Sequence, residues 1–355
     1  MADKKNSAES KETFKHGTII NVISSKGGVG TTTIAVNLAV SLAAEKNNPS
    51  VALIDMNLLF GDIPLFLEIE PKYNWSEITK NISRLDDNFL KNILSVDASG
   101  VCVLSSPSYL SDLNVETIEF LSHLIMLMQR MFDFIIIDGG QPLEDISLKI
   151  LEMSDIALLV SILTPPCILN TKKLLKTFRD LGFPLDENIK MVVNRYLKKS
   201  HISLTDAEAS FEKEIFWNIP NDYQTTVNAI NEGKALAQFA PGEAITKNFK
   251  KLAAKLRAES EKAGPAISSY RRTIKKTPNI GSYIYQKDTL SINRRRRKID
   301  MDPQDPSSRD RRRKMRDGII IVDHDRRQND NPNYNGPEKR SGMDRRIEKE
   351  RRQKD

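Results

Sequence analysis

The densest chemical signal in this chain is the run Ser24-Ser25-Lys26-Gly27-Gly28-Val29-Gly30-Thr31-Thr32-Thr33. Its glycines let successive backbone N–H groups turn inward, and a concave row of such donors suits the oxygens of a phosphate. Thr32 adds a hydroxyl able to hold a hard cation such as Mg2+. The spacing departs from the usual G-x-x-x-x-G-K-[ST] loop. Ser25 stands at the first glycine and Thr31 at the lysine, while a different lysine, Lys26, sits near the loop's start. A charged hydrogen bond contributes roughly 1.5–3 kcal/mol. A loop without the usual lysine should therefore hold polyphosphate about one to two powers of ten less tightly, unless Lys26 compensates.

Such a loop works only between a strand and a helix, because the helix N-terminus adds partial positive charge. The flanking sequence supplies both: an apolar run over 18–24 and a helical pattern over 32–45. The alternation then continues. Strand-like runs cover 51–54, 101–104, 134–137, 156–161 and 190–193, with a short one near Phe216. Helical patterns cover 75–82, 86–94, 115–132, 142–153, 166–181, 223–231 and 243–261. Strands alternating with helices predict a doubly wound α/β domain with a mostly parallel sheet. The strand Phe134-Ile135-Ile136-Ile137 runs into Asp138-Gly139-Gly140. An aspartate at a strand end downstream of a phosphate loop reads as a second Mg2+ holder. In the last helical pattern, Ile245, Phe249, Leu252, Ala253 and Leu256 recur at helical spacing, as in a helix docked on the fold rather than lying on a membrane.

The loop resembles the deviant Walker A loop of the MinD/ParA superfamily, K-G-G-x-G-[K]-[ST]-[ST]. That resemblance implies ATP and Mg2+ as cofactors, with Lys26 reaching across an ATP-held homodimer. It makes Gly27, Gly28, Val29, Gly30, Thr31, Thr32 and Thr33 the phosphate cradle. In the superfamily the second strand ends D-x-D, and the second aspartate readies the attacking water. Here Asp55 fits the first position, on the metal side, and Asn57 replaces the second. An amide can orient water but cannot take its proton. Asn194-Arg195-Tyr196 is similar to the N-R-Y beside the adenine, with Asn194 at the base edge and Arg195 on its face. Pro220, in Trp217-Asn218-Ile219-Pro220-Asn221-Asp222, belongs to a second base-side turn.

Loss of the second lysine, Phe60-Gly61-Asp62, the Trp217–Asp222 run and Ala229-Ile230-Asn231-Glu232-Gly233 look like the CpaE/TadZ pilus-assembly branch. This implies an ATP-binding dimeric organiser of pilus or secretion-machine assembly, with weak or absent hydrolysis. The rival is an active partitioning or division-positioning ATPase. Many CpaE-like proteins carry a receiver-like domain ahead of the ATPase-like one, whereas residues 1–17 here read as a disordered leader.

The chain has 355 residues and a net charge of +7, unevenly spread. From Gly264 onward there are 26 Lys and Arg against 14 Asp and Glu, leaving 28 against 33 in the rest. Residues 18–263 are thus mildly acidic, and 264–355 read as a basic, low-complexity tail, disordered on its own. Its candidate partners are an anionic membrane surface or nucleic acid. Two cysteines, Cys102 and Cys167, give neither a disulfide framework nor a C-x-x-C site, which argues against the superfamily's iron-sulfur carriers. The polar residues 1–15 lack the apolar core of a signal peptide. The expected location is cytoplasmic, including the periphery of the inner membrane or a cell pole.

Overall fold

The computed structural model describes residues 16–57, 61–74, 78, 81, 84–106, 117–141 and 145–263. Within them an eight-stranded sheet has the order β3-β4-β2-β5-β1-β6-β7-β8. The strands are β1 (Thr18–Ser24), β2 (Val51–Asp55), β3 (Ser95–Val96), β4 (Cys102–Leu104), β5 (Phe134–Gly140), β6 (Ile156–Ser161), β7 (Ile189–Tyr196) and β8 (Ile215–Pro220). All neighbours run parallel except β3, which pairs antiparallel with β4 at one edge. This is the doubly wound α/β architecture expected from the sequence.

The central strands are continuous apolar runs because both faces are covered. Ile20 and Val22 of β1 pack into one layer with α1 (Thr31–Ala43) and α10 (Ala244–Ala263). Ile19, one residue out of phase, joins the opposite layer with α3 (Asp87–Ile93), α4 (Thr117–Met131) and α5 (Asp145–Met153). Ile23 and Leu159 pack with α6 (Pro165–Leu181) and α7 (Leu204–Phe211). The remaining helices are α2 (Ile63–Phe66), α8 (Tyr223–Asn231) and α9 (Leu236–Phe239). The helix expected over 75–82 lies mostly outside the described residues, as does the tail (264–355); of the leader expected over 1–17 only His16 and Gly17 are described, and Gly17 is buried, its N–H donating to the Gln129 carbonyl at 2.7 Å.

Sheet order decides where a site can form. β1 lies centrally, with β5 and β2 on one side and β6 and β7 on the other. The C-terminal ends of parallel strands at such a reversal are where α/β sheets bind ligands. The loop after β1 opens directly into α1, and that helix is held from behind. Asn37 Nδ2 donates to the Thr33 carbonyl at 2.8 Å, and Asn37 Oδ1 accepts the Leu236 N–H at 2.7 Å. Further along, Arg257 of α10 donates through Nη1 to the Lys46 carbonyl at 2.7 Å, just past the end of α1.

The expected docking role of the last helix is borne out. Ile245, Phe249, Leu252, Ala253 and Leu256 are all at most 4% exposed. Replacing Phe249 with alanine leaves a cavity against α1. It should destabilise the domain by about 3–5 kcal/mol, read as a lower denaturant midpoint with unchanged slope. A helix resting on a membrane would lose no stability in solution.

Candidate functional site

β1, β2, β5 and β7 each end at one rim, and each brings a piece of the site there. The loop over 24–30 starts as β1 stops. Gly30 caps α1 with φ +98°, a left-handed conformation, and a β-carbon there would sit 2.5 Å from Asn194 Nδ2. Glycine is required at this position twice over. Asn194 Nδ2 donates to the Val29 carbonyl at 2.8 Å, while its Oδ1 accepts the Arg195 N–H at 2.9 Å. Arg195 Nη2 in turn donates to the Gly28 carbonyl at 3.0 Å. Both expected base-side residues therefore grip the phosphate loop from β7. Ser25, where a glycine is usual, shares a hydrogen bond of 2.9 Å with Thr171 of α6, and Thr171 donates to Ser161 at 3.2 Å.

Beside the loop is a cleft of about 570 Å³. Gly27, Gly28, Gly30, Thr31, Thr32, Thr33, Asn57 and Arg195 line it, with Gly139, Gly140 and Asp62. Val29 points into the core, 2% exposed. Lys26 is exposed and is not on the cleft wall. Pro220 is half-buried at the end of β8, paired with Tyr196, and also stands off the wall. Ser24 lines the cleft too, and reasoning from the sequence missed Gln141, Met56, Phe66 and Ser147, which complete the wall. Gln141 directly follows the Asp-Gly-Gly and could have been read from it. Ser147, inside α5, carries no sequence signal.

Two carboxylates lie buried behind the cleft, neither of them on its wall. Asp55 and Asp138 are register partners on β2 and β5, 0% and 2% exposed. Asp55 Oδ1 accepts the Asn57 N–H at 3.0 Å, and Oδ2 accepts the Ile63 N–H at 3.3 Å. Asp138 Oδ2 accepts the Thr32 hydroxyl at 2.6 Å, but its Oδ1 is buried with no partner. Burial, and then the charge of Asp138, push the Asp55 carboxyl up to about 7. Burial likewise pushes Asp138 up to about 6, against the lowering pull of the Thr32 hydrogen bond. Buried carboxylates facing each other with an orphaned oxygen lack a positive charge. A hard divalent cation fits this set: Thr32 and Asp138 would hold it, with Asp55 behind. Among the described residues no three His, Cys, Asp or Glu cluster as a complete metal cage. The rest of such a cation's shell would be phosphate and water, as Mg2+ prefers.

Comparison with known proteins points to one family. The ParA family model, described as NUBPL iron-transfer P-loop NTPase, matches residues 15–257. The septum site-determining protein MinD of Thermotoga maritima is 28% identical over 257 residues, covering 68% of this chain and 89% of that protein. A ParA family ATPase from Chlorobium tepidum superposes with a TM-score of 0.63 at 24% identity, over 68% of this chain and 99% of that one. The Pyrococcus horikoshii MinD complexed with Mg-ADP gives 0.57 at 21%, over 68% and 96%.

Proposed function

We propose, for a chain that belongs to the ParA family of P-loop NTPases, an ATP-held switch or scaffold with slow turnover. One observation carries the reading. Thr31 and Asn57 both line the cleft, where the superfamily's phosphate-gripping lysine and water-activating aspartate would stand. The cradle and the Asp55–Asp138 pair are intact, so binding is retained while its strength and its chemistry are both reduced. ATP and Mg2+ are the proposed ligands, and a MinD relative is complexed with Mg-ADP. The phosphate loop and α1 N-terminus would bind the phosphates, and Thr32 and Asp138 would hold the Mg2+. That ion would neutralise charge on the phosphates.

Lys26, exposed and next in sequence to the cleft-lining Gly27, is proposed to reach the nucleotide of a second copy, giving a dimer joined by ATP. A place in pilus or secretion-machine assembly rests on the CpaE/TadZ-like Gly61-Asp62 and Trp217–Asp222 segments. The basic tail is proposed to hold an anionic membrane surface, which would put the protein at the periphery of the inner membrane or a pole. No helix among the described residues is long and apolar enough to cross a membrane. A division-positioning role is the second reading, favoured by the MinD relative. Iron transfer gains no support from the cysteines, since Cys102 lies on β4 and Cys167 is buried on α6.

The test is Mg-ATP binding, turnover and molecular size measured together. Binding should drive dimerisation with little hydrolysis, and Lys26→Ala should bind ATP as a monomer, with dimer affinity lowered at least tenfold. Brisk turnover would move the reading to an active partitioning ATPase. A dimer indifferent to Lys26 or to ATP would refute it.

A further inference from the structure

Asp62 is the one cleft-wall carboxylate left without a role by the pair just described. It is the N-cap residue of α2, where an aspartate ordinarily bonds the N–H of the second or third helical residue. Neither is open to it here. The second is Pro64, which has no N–H, and the N–H of Leu65 is taken by the Asp62 main-chain carbonyl at 3.0 Å. No cap bond to the side chain forms. The carboxylate is exposed and on the wall beside Asn57, Thr33 and Gly140.

Its position is also fixed. Gly61, just before it, packs so closely that a β-carbon would collide with the Ser106 hydroxyl and approach Asp55 Oδ2 to 3.1 Å. Ile63, just after it, is bound through its N–H to Asp55. The charge of Asp62 is near enough to act on both Asp55 and Asp138. Yet the three carboxylates do not close into one metal cage among the described residues. Asp62 thus lines the same cleft as Asn57 and the phosphate-loop threonines without joining Asp55 and Asp138 as a third ligand.

We infer that Asp62 supplies the carboxylate missing at Asn57, holding and deprotonating the water that attacks ATP. This rests on the ATP-binding reading above. The new bond joins the water oxygen to the γ-phosphorus, and the bond from that phosphorus to the β–γ bridging oxygen breaks. ADP leaves with the electron pair. The water's proton passes to Asp62 and then to the released phosphate. Asn57, on the same wall, orients that water but takes no proton.

The experiment compares wild type, Asp62→Asn, Asp62→Glu, Asn57→Asp and the Asp62→Asn/Asn57→Asp double variant. Each is read by single-turnover ATP hydrolysis and by Mg-ADP affinity. Asp62→Asn should lower the hydrolysis rate 10- to 100-fold with Mg-ADP affinity within twofold of wild type. Asp62→Glu should keep part of the rate, and the double variant should regain it. An unchanged rate in Asp62→Asn would overturn the assignment. So would a loss of Mg-ADP affinity, which would make Asp62 a ligand-binding group, or no single-turnover hydrolysis in wild type. The switch reading fails separately. Fast wild-type turnover abolished in Asp62→Asn keeps Asp62 and retires the slow switch, while slow turnover indifferent to Asp62 does the reverse.

Discussion

Asp138→Asn should bind Mg-ADP at least 100-fold more weakly than wild type and, without ligand at pH 8, should melt several degrees higher. The two effects share one cause. Asp138 is 2% exposed, its Oδ1 has no partner, and it faces Asp55 across adjacent strands. Both carboxyls titrate well above an unfolded chain, at about 7 for Asp55 and about 6 for Asp138. A raised carboxylate pKa means the folded state holds protons that the unfolded state releases. The stability this pair contributes is therefore greatest at low pH and falls as pH rises through 6 and 7. At pH 8 both groups are charged, at a cost of roughly 3–4 kcal/mol each in a protein with no cation bound. Asparagine keeps the Thr32 hydrogen bond, removes one charge and offers Asp55 a donor.

Relief of ~2 kcal/mol corresponds to about 4–8 °C in a domain of this size. The melting difference should shrink towards pH 5, where wild type is protonated anyway. Mg-ADP should stabilise wild type more as pH rises, since the site must lose its protons to hold a cation. Thermal melts at pH 5 and pH 8, with and without Mg-ADP, check all of this. Equal melting of the two proteins at pH 8 would mean that the pair is not electrostatically frustrated.

The second large effect is a gain. Thr31→Lys should tighten Mg-ADP by about 10- to 100-fold, the worth of one charged hydrogen bond. Thr31 is the first residue of α1, partly exposed and on the cleft wall, so a longer side chain has somewhere to go. A cation at a helix N-terminus is mildly unfavourable, by about 0.3–1 kcal/mol. The ligand-free variant should therefore melt slightly lower than wild type, and the bound one higher. That crossover separates a restored phosphate grip from general stabilisation. If affinity stays put, the Thr31 substitution is not what weakens the site.

Much of this was legible in the residues. The strand over 156–161 and the helix over 223–231 fall where periodicity put them, because long apolar runs and strong amphipathic patterns leave little choice. Short elements were not legible. β3 has two residues, and α2 and α9 have four each, too few to show a period. α7 is a different failure, since Ser203 and Asp206 form a capping box that announced it in the sequence. At the site, the loop and its carboxylates follow from spacing. The grip of Asn194 and Arg195 on that loop does not, because it joins residues more than 160 positions apart through main-chain carbonyls. The same holds for Asp62, whose freedom depends on how Pro64 and Leu65 fold around it.

The Arg257 bond to Lys46 ties α10 to the far end of α1. α1 begins at the phosphate loop and carries 13 residues, about 20 Å of helix. α10 ends at Ala263, beyond its contact with the far end of α1. α10 therefore carries Ala263 to the pole of the domain opposite the cleft, so a second copy closing over the cleft would leave that pole uncovered.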